Sequence, residues 1–282
     1  MGLLNVGTSS FTASGWERSF YPTGTKPTDF LRYYATRFNT VEIDSTFYGI
    51  PAPATVQGWG SKTPNDFIVA AKVPQIITHE KLLIDCDNEF NDFISVMDLL
   101  GEKLGPLLFQ FGYFNRQTFF GVNDFLARLR PFLKKLPAGH RFALEIRNKS
   151  WLVPQFFETL RKHNVALALI DQEWMPRPAQ WFETFDPITA DFTYVRWLGD
   201  RKGIEEKTRV WDKTIIDRHQ ELSEWAAVLG KVYKRQIQIF AYANNHYAGH
   251  SPATVEMFRD IWRTQVKEEP KRPGPLLLFP MH

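Results

Sequence analysis

The stretch Arg141-Phe-Ala-Leu-Glu-Ile-Arg-Asn148 is a short apolar run that ends in charged and amide residues. Near-continuous apolar segments of this kind are typical of parallel strands whose outer face is covered by helices. Seven further runs share the pattern: Leu3–Ser9, Thr40–Thr46, Asp66–Pro74, Gly105–Gly112, Val165–Asp171, Phe192–Gly199 and Gln236–Asn245. We therefore predict eight parallel strands.

Amphipathic segments separate these runs, and each has the spacing of a helix with one apolar face. They are Thr28–Phe38, Glu89–Leu104, Asn123–Leu136, Pro154–His163, Asp217–Tyr233 and Pro252–Val266. Strict alternation of strand and helix predicts an α/β fold, a single (β/α)8 TIM-type barrel, for which ~250 residues are typical. We assign residues 1–266 to the barrel and expect the apolar end of the tail, Lys267–His282, to dock back on it.

The composition is that of an ordinary globular protein, with 44% hydrophobic and 23% charged residues. A net charge of +3 is too small to indicate nucleic-acid binding from composition alone. The single Cys86 excludes an internal disulfide and a Cys-rich zinc site. No apolar stretch approaches the ~20 residues that span a bilayer, and the first predicted strand begins close to Met1. We expect a cytoplasmic protein with no signal peptide and no membrane partner.

Alternation along each strand predicts which side chains point into the barrel, because residues two apart share a face. Barrel interiors are normally filled with branched apolar side chains, so repeated polar residues near the strand ends predict a site at the C-terminal mouth. The inward-facing set is Glu42, Asp44, Lys72, Gln110, Glu145, Arg147, Arg196, Tyr242 and Asn244, and Asp171 closes the sixth strand. A structural alternative is a closed ion-pair network, with Lys72 bound to Asp44 or Glu42, Arg147 to Glu145, and Arg196 to Asp171.

Seven ordered motifs resemble one family over nearly the whole chain. They are Val6-Gly-Thr-Ser-Ser with Trp16, Asn39-Thr-Val-Glu-Ile-Asp-Ser-Thr-Phe-Tyr, Ala71-Lys-Val-Pro with Thr78-His79, Gly105-Pro-Leu-Leu-Phe-Gln-Phe, Leu144-Glu-Ile-Arg-Asn-Lys-Ser-Trp, Tyr194-Val-Arg-Trp-Leu-Gly and Tyr242-Ala-Asn-Asn-His-Tyr-Ala-Gly-His. The chain is similar to the YecE-like proteins, domain-of-unknown-function family 72. The resemblance implies a TIM-type barrel and a set of characteristic positions, without a reaction. Asp44 stands where Asn is expected, which adds a negative charge to the mouth.

We interpret the mouth as the site of an enzyme, a hydrolase, lyase or isomerase, that acts on a phosphorylated, carboxylated or sugar-like small molecule. Arginine and lysine would hold the anion and a carboxylate would move a proton. The predicted catalytic residues are Glu145, Lys72, Asp171 and Glu42. The predicted substrate-binding residues are Asp44, Thr8, Trp16, Tyr48, His79, Gln110, Arg147, Arg196, Tyr242, Asn244, Asn245 and His246.

Three alternatives stay open. Lys72 could form a Schiff base, although Glu42 and Asp44 should favour the charged amine that cannot attack a carbonyl. A divalent metal could act as in endonuclease-IV-like or xylose-isomerase-like barrels, although Lys and Arg at the same mouth would repel it; we predict no cofactor and no metal ligand. Nucleic acid could bind the basic, aromatic rim, in which case affinity would fall steeply with salt. The sequence leaves the oligomeric state open.

Overall fold

The computed structural model describes residues 3–266, which contain all eight predicted strands. The strands are β1 Leu4–Thr8, β2 Thr40–Ile43, β3 Ile68–Lys72, β4 Leu104–Gln110, β5 Phe142–Glu145, β6 Val165–Asp171, β7 Phe192–Trp197 and β8 Gln238–Ala243. The helices are α1 Phe30–Arg37, α2 Pro53–Ser61, α3 Asp87–Met97, α4 Val122–Leu133, α5 Pro154–Lys162, α6 Pro178–Thr184, α7 Arg201–Glu205, α8 His219–Lys234, α9 Asn245–Ala248 and α10 Ser251–Gln265. The predicted (β/α)8 fold is confirmed.

The strands form one parallel sheet in the order β1-β8-β7-β6-β5-β4-β3-β2, which curls into a nearly closed barrel. Because every strand runs in the same direction, all carboxyl ends meet at one mouth. Seven of the eight strands end one to three residues before the end of the predicted run, and two of these ends matter most for the site. β2 ends at Ile43 and passes into a short 3₁₀ helix at Ser45–Tyr48, and β3 is followed by a π-helical turn at Ile76–Glu80.

The seam between β1 and β2 is closed by side chains. Between these two described strands no backbone ladder forms, and the Tyr34 hydroxyl accepts from the Thr8 amide (2.9 Å) and donates to the Thr40 carbonyl (3.1 Å). The backbones approach so closely that a Cβ placed on Gly7 would lie 2.0 Å from the Thr40 carbonyl oxygen. Only glycine fits at position 7.

Two apolar layers hold the barrel. Small and aromatic side chains fill its interior, including Ala143, Ala166, Ala168, Phe192 and Phe240. A larger layer lies between the strands and the surrounding helices. Small side chains on β5 and β6 leave room for large aromatics from β7 and β8, which is how a barrel core reaches close packing.

The predicted docking of residues 267–282 lies outside the described residues. Within residues 3–266, no helix combines the length and apolar character needed to cross a bilayer.

Candidate active site

Buried charged side chains from β2, β5 and β7 meet inside the barrel near the mouth. Arg196 donates from Nε (3.2 Å) and Nη2 (2.8 Å) to Oε1 of Glu42, and from Nη1 (2.6 Å) to Oε2 of Glu145. The side chains of Glu42 and Glu145 are 0% exposed and that of Arg196 is 3% exposed. One guanidinium therefore joins two carboxylates, and we call Glu42, Glu145 and Arg196 the inner cluster.

The remaining oxygens of the inner cluster are also occupied. Tyr194 donates its hydroxyl to Oε2 of Glu42 at 2.6 Å, and Arg147 donates Nε to Oε1 of Glu145 at 3.1 Å. Both oxygens of each carboxylate thus accept a hydrogen bond from the protein. The ion-pair network expected as a structural alternative is present in this layer, including the Arg147–Glu145 pair. Its hub differs from the prediction, because Arg196 binds Glu42 and Glu145 instead of Asp171.

Electrostatics keep Glu145 and Arg196 ionised. Burial opposes the charge of Glu145, but the guanidinium groups of Arg196 and Arg147 outweigh it and lower the pKa of that carboxyl. Burial likewise opposes the charge of Arg196, and the two carboxylates raise its pKa above the ordinary value. Paired and fully hydrogen-bonded charges of this kind hold geometry and exchange protons poorly.

A second layer of charge lies closer to solvent, where Lys72 ends β3 and Asp44 follows β2. The Lys72 ammonium lies 4.1 Å from the centroid of the Phe47 ring, and within residues 3–266 it makes no ion pair. Burial and the nearby Arg196 lower the pKa of Lys72 to about 8, although Glu42, Glu145 and Asp44 act in the opposite direction. Glu42 and Asp44 favour the charged amine, as the sequence predicted, and desolvation together with Arg196 outweighs them only far enough to bring the pKa below its ordinary value.

The pKa of Asp44 is shifted in the opposite direction to that of Lys72. Burial and the neighbouring Glu42 raise the pKa of its carboxyl to about 6, while Lys72 and Arg196 partly offset the rise. Asp44 precedes the 3₁₀ helix at Ser45–Tyr48, so the early end of β2 sets its position. We call Asp44 and Lys72 the outer pair. Both of its members change charge near neutral pH.

Arg147 and His79 border the outer pair. Arg147 is 27% exposed, and only its Nε has a hydrogen-bond partner among residues 3–266, so the two terminal nitrogens are available to an anion. His79 bonds through Nδ1 to the Thr78 hydroxyl at 2.8 Å and meets the Phe47 ring edge-on. Burial, Lys72 and Arg147 lower the pKa of His79, which keeps it neutral at pH 7.

A cleft of about 460 Å³ opens beside Arg147. Tyr113, Lys149, Ser150 and Trp174 complete its lining, and we call it the aromatic cleft. Tyr113 is 71% exposed and Trp174 49% exposed, which is unusual for large rings. The cleft adjoins the buried charges through one side chain, because Arg147 also binds Glu145.

Two other predicted residues lie at or near the mouth. Gln110 is mostly buried and stands opposite Glu145 in the β4–β5 register. Tyr48 is 78% exposed at the end of the 3₁₀ helix after β2, with its ring edge-on to Phe47. Their roles as substrate ligands stay predictions.

Asp171, predicted as a catalytic residue, lies elsewhere. One of its carboxylate oxygens accepts from the Trp225 indole at 2.7 Å and from the Tyr247 hydroxyl at 2.8 Å, on the helix side of β6. Ala166 and Ala168 point into the barrel, so Asp171 belongs to the opposite, outward parity. It ties α8 and α9 to the barrel wall.

Three residues predicted to bind substrate instead stabilise the region around β1. Thr8 is 1% exposed and bonds to the Tyr34 hydroxyl at the β1–β2 seam. Trp16 is also 1% exposed, and its indole donates to Oδ1 of Asn245 at 3.3 Å. The same oxygen accepts from the amide and hydroxyl of Ser251, so these side chains fasten α10 to the barrel.

The remaining predicted residues follow β8 or lie inside it. Tyr242 is fully buried and bonds to the Thr40 hydroxyl at 2.9 Å. Asn244 caps α9 by accepting from the His246 amide at 3.0 Å. His246 bonds through Nδ1 to Asn244 at 2.6 Å and through Nε2 to Glu205 at 3.0 Å. These contacts engage all three side chains within the fold.

Sequence reasoning missed several residues of the site. Phe47 lies within the second motif, but its position under Lys72 depends on the 3₁₀ helix after β2. Lys149 and Ser150 follow β5 directly, so their place at the mouth was available from strand order alone. Tyr113 lies three residues beyond β4, where chain position could have placed it at the mouth without revealing its exposure.

Within residues 3–266, no three or more His, Cys, Asp or Glu side chains are grouped so that they could hold a metal ion. The metal-dependent alternative therefore has no donor set to support it in this part of the chain.

The family model described as "Protein of unknown function DUF72" matches residues 5–276. Among curated proteins, the chain is 33% identical to UPF0759 protein YecE of Escherichia coli K12 over 127 residues, 45% of this chain and 43% of that protein. It is also 33% identical to UPF0759 protein YunF of Bacillus subtilis 168 over 153 residues, 51% of this chain and 52% of that protein. These matches span about half the length of the curated relatives.

Among solved structures, a DUF72 family protein of Thermotoga maritima MSB8 is 25% identical and superposes with a TM-score of 0.71. The match covers 95% of this chain and all of that one. The barrel described here is therefore similar to an experimentally determined one over almost its whole length.

Proposed function

The chain belongs to the DUF72 family of proteins of unknown function, and we propose that it is an enzyme acting on an anionic small molecule at the barrel mouth. The observation that carries this proposal is the outer pair. A carboxyl and an amine lie together at adjacent strand ends, with pKa values of about 6 and about 8. Perturbed groups at a barrel mouth are typical of acid–base catalysis.

The outer pair supplies a base and an acid at neutral pH. Between pH 6 and pH 8 the Asp44 carboxylate is free to accept a proton, and the Lys72 ammonium is able to donate one or to stabilise a developing oxyanion. Groups with pKa values near the working pH transfer protons most effectively.

Anion binding falls to Arg147. Its Nε is held by Glu145, which aims the guanidinium, and its terminal nitrogens form a fork that matches phosphate or carboxylate oxygens. The inner cluster then serves as the support for this arrangement. Glu42 and Glu145, which we predicted as catalytic, orient Arg196 and Arg147 in this proposal and transfer no proton.

A ligand panel tests the proposal. Inorganic phosphate, ribose 5-phosphate, phosphoenolpyruvate and oxaloacetate would be screened by thermal shift and calorimetry. We expect at least one compound to raise the Tm of the wild type and to bind at least roughly tenfold more weakly to Lys72→Met and Arg147→Met, since each variant loses a charged hydrogen bond. Lys234→Met, an exposed change on α8, is the matched control and should bind like the wild type.

The pH dependence of turnover separates catalysis from binding. With the compound that binds, the rate should rise as Asp44 loses its proton near pH 6 and fall as Lys72 loses its proton near pH 8. A rate that instead rises through pH 8 would assign the Schiff-base role to neutral Lys72. Binding without any turnover, or a panel that produces no shift, would contradict the proposal.

A further inference from the structure

The aromatic cleft contains two rings that the fold leaves without partners. Within residues 3–266, neither Tyr113 nor Trp174 stacks on another ring or carries a cation over its face. Their neighbours behave differently: Phe114, for example, lies against Trp151 with the rings 21° from parallel. Exposed rings beside well-packed ones indicate a surface kept free for a ligand.

The polar side of the cleft is cationic. Arg147 offers two terminal nitrogens, Lys149 is exposed, and Ser150 adds a hydroxyl. Within residues 3–266 neither cation lies over the rings of Tyr113 or Trp174, so the aromatic faces and the positive charges remain separately available. A ligand that uses both must combine a flat π system with an anion.

We propose that the aromatic cleft binds a nucleoside monophosphate, with the base stacked on Trp174 and Tyr113 and the phosphate held by Arg147 and Lys149. This inference rests on the proposed function and names its substrate class. The volume of about 460 Å³ lies in the range of ~300–1,000 Å³ found for small-molecule sites. A simple sugar phosphate would leave the two rings unused, and a neutral saccharide would leave the two cations unpaired.

The position of Arg147 determines how the nucleotide would be oriented in the aromatic cleft. Because this side chain contacts Glu145 on one side and lines the cleft on the other, a phosphate bound to it lies at the end of the cleft nearest the inner cluster. The influence of both Arg147 and Lys72 on His79 places these groups in one neighbourhood. The ligand's phosphate, and not its base, would therefore lie toward the buried charges of the mouth.

Calorimetry with AMP, adenosine and ribose 5-phosphate tests the inference. We expect the wild type to bind AMP roughly tenfold or more tightly than ribose 5-phosphate, because base stacking is added. AMP should also bind roughly tenfold or more tightly than adenosine, because the phosphate contacts are added. Trp174→Ala should remove the advantage of AMP over ribose 5-phosphate and leave ribose 5-phosphate binding unchanged.

Phe120→Ala is the matched control, because this ring is 78% exposed but lies outside the cleft lining, and it should bind all three compounds like the wild type. Equal affinity for AMP and ribose 5-phosphate would overturn the nucleotide inference while the proposed function stands. If neither AMP nor ribose 5-phosphate binds, the nucleotide inference is overturned as well. The carboxylate compounds of the ligand panel, phosphoenolpyruvate and oxaloacetate, would then test the proposed function separately. Tight binding of a dT10 oligonucleotide without AMP binding would overturn it in favour of single-stranded nucleic acid.

Discussion

The inner cluster and the outer pair use the same kinds of charged residue at the same mouth, yet their environments differ. In the inner cluster each carboxylate oxygen accepts a hydrogen bond, and Arg196 is bound by two carboxylates. In the outer pair, Lys72 and Asp44 are partly buried and neither forms an ion pair among residues 3–266, and the pKa of each moves toward neutrality. Ion-paired charges whose hydrogen-bonding capacity is filled hold the geometry of the mouth. Buried charges without an ion pair remain able to bind a ligand or transfer a proton.

This contrast predicts opposite effects on stability when each layer is neutralised. Arg196→Met should lower the free energy of unfolding by about 3–5 kcal/mol, because it leaves Glu42 buried without an ion-pair partner and Glu145 paired with Arg147 alone. Equilibrium unfolding in urea measures the loss. Arg263→Met, which removes an exposed pair with Asp260, should cost under about 1 kcal/mol. A similar small loss in both variants would mean that the inner cluster contributes little to stability.

Lys72→Met should act in the other direction. Because the folded pKa of Lys72 is about 8, below the ordinary value of about 10.4, the unfolded chain holds this proton more tightly and ionised Lys72 destabilises the fold. The penalty is complete below pH 8 and disappears as pH rises through about 10.4. We expect the variant to gain on the order of 1–3 kcal/mol at pH 7 in urea unfolding, with Lys234→Met unchanged. A loss of stability would contradict the view that the amine is under-compensated.

Asp44→Asn should give the smallest effect and the clearest pH signature. The folded pKa of about 6 lies above the unfolded value near 3.9, so the ionised carboxylate destabilises the fold at high pH. The penalty is nearly absent at pH 4, grows up to pH 6 and is then constant. Unfolding experiments at pH 4 and pH 8 should therefore show a gain of roughly 1–2 kcal/mol at pH 8 alone. Equal effects at both pH values would exclude a raised pKa at this position.

Much of this arrangement was predictable from alternation alone. Glu42, Glu145 and Arg196 were placed inside the barrel because residues two apart share a face, and the structure brings them together. The same rule, applied to Ala166 and Ala168, would have turned Asp171 outward. The catalytic role was assigned to Asp171 because it is a polar residue at the end of β6, without applying the alternation of side chains along that strand.

Other features depend on information that strand patterns do not contain. Which carboxylates Arg196 reaches is set by the stagger of strands around the barrel, which strand order leaves undetermined. The position of Asp44 depends on the 3₁₀ helix that begins directly after it. The pKa of Lys72 depends on how far burial outweighs the nearby charges. Exposure of Tyr113 and Trp174 is a property of loops, whose conformations vary most.

The β1–β2 seam is the part of the described barrel wall that depends on side-chain hydrogen bonds, including those of the Tyr34 hydroxyl. The Tyr34 hydroxyl and, nearer the start of β2, the Asn39 side chain bridge the seam that backbone bonds close everywhere else around the described wall, and Tyr34→Phe would remove the hydrogen bonds of this hydroxyl to Thr8 and Thr40. Hydrogen exchange should then accelerate first at the Thr8 amide, while the amides of β5 and β6 keep their protection. Glu42 lies on β2, beside this seam. Local opening of the seam would therefore reach the inner cluster.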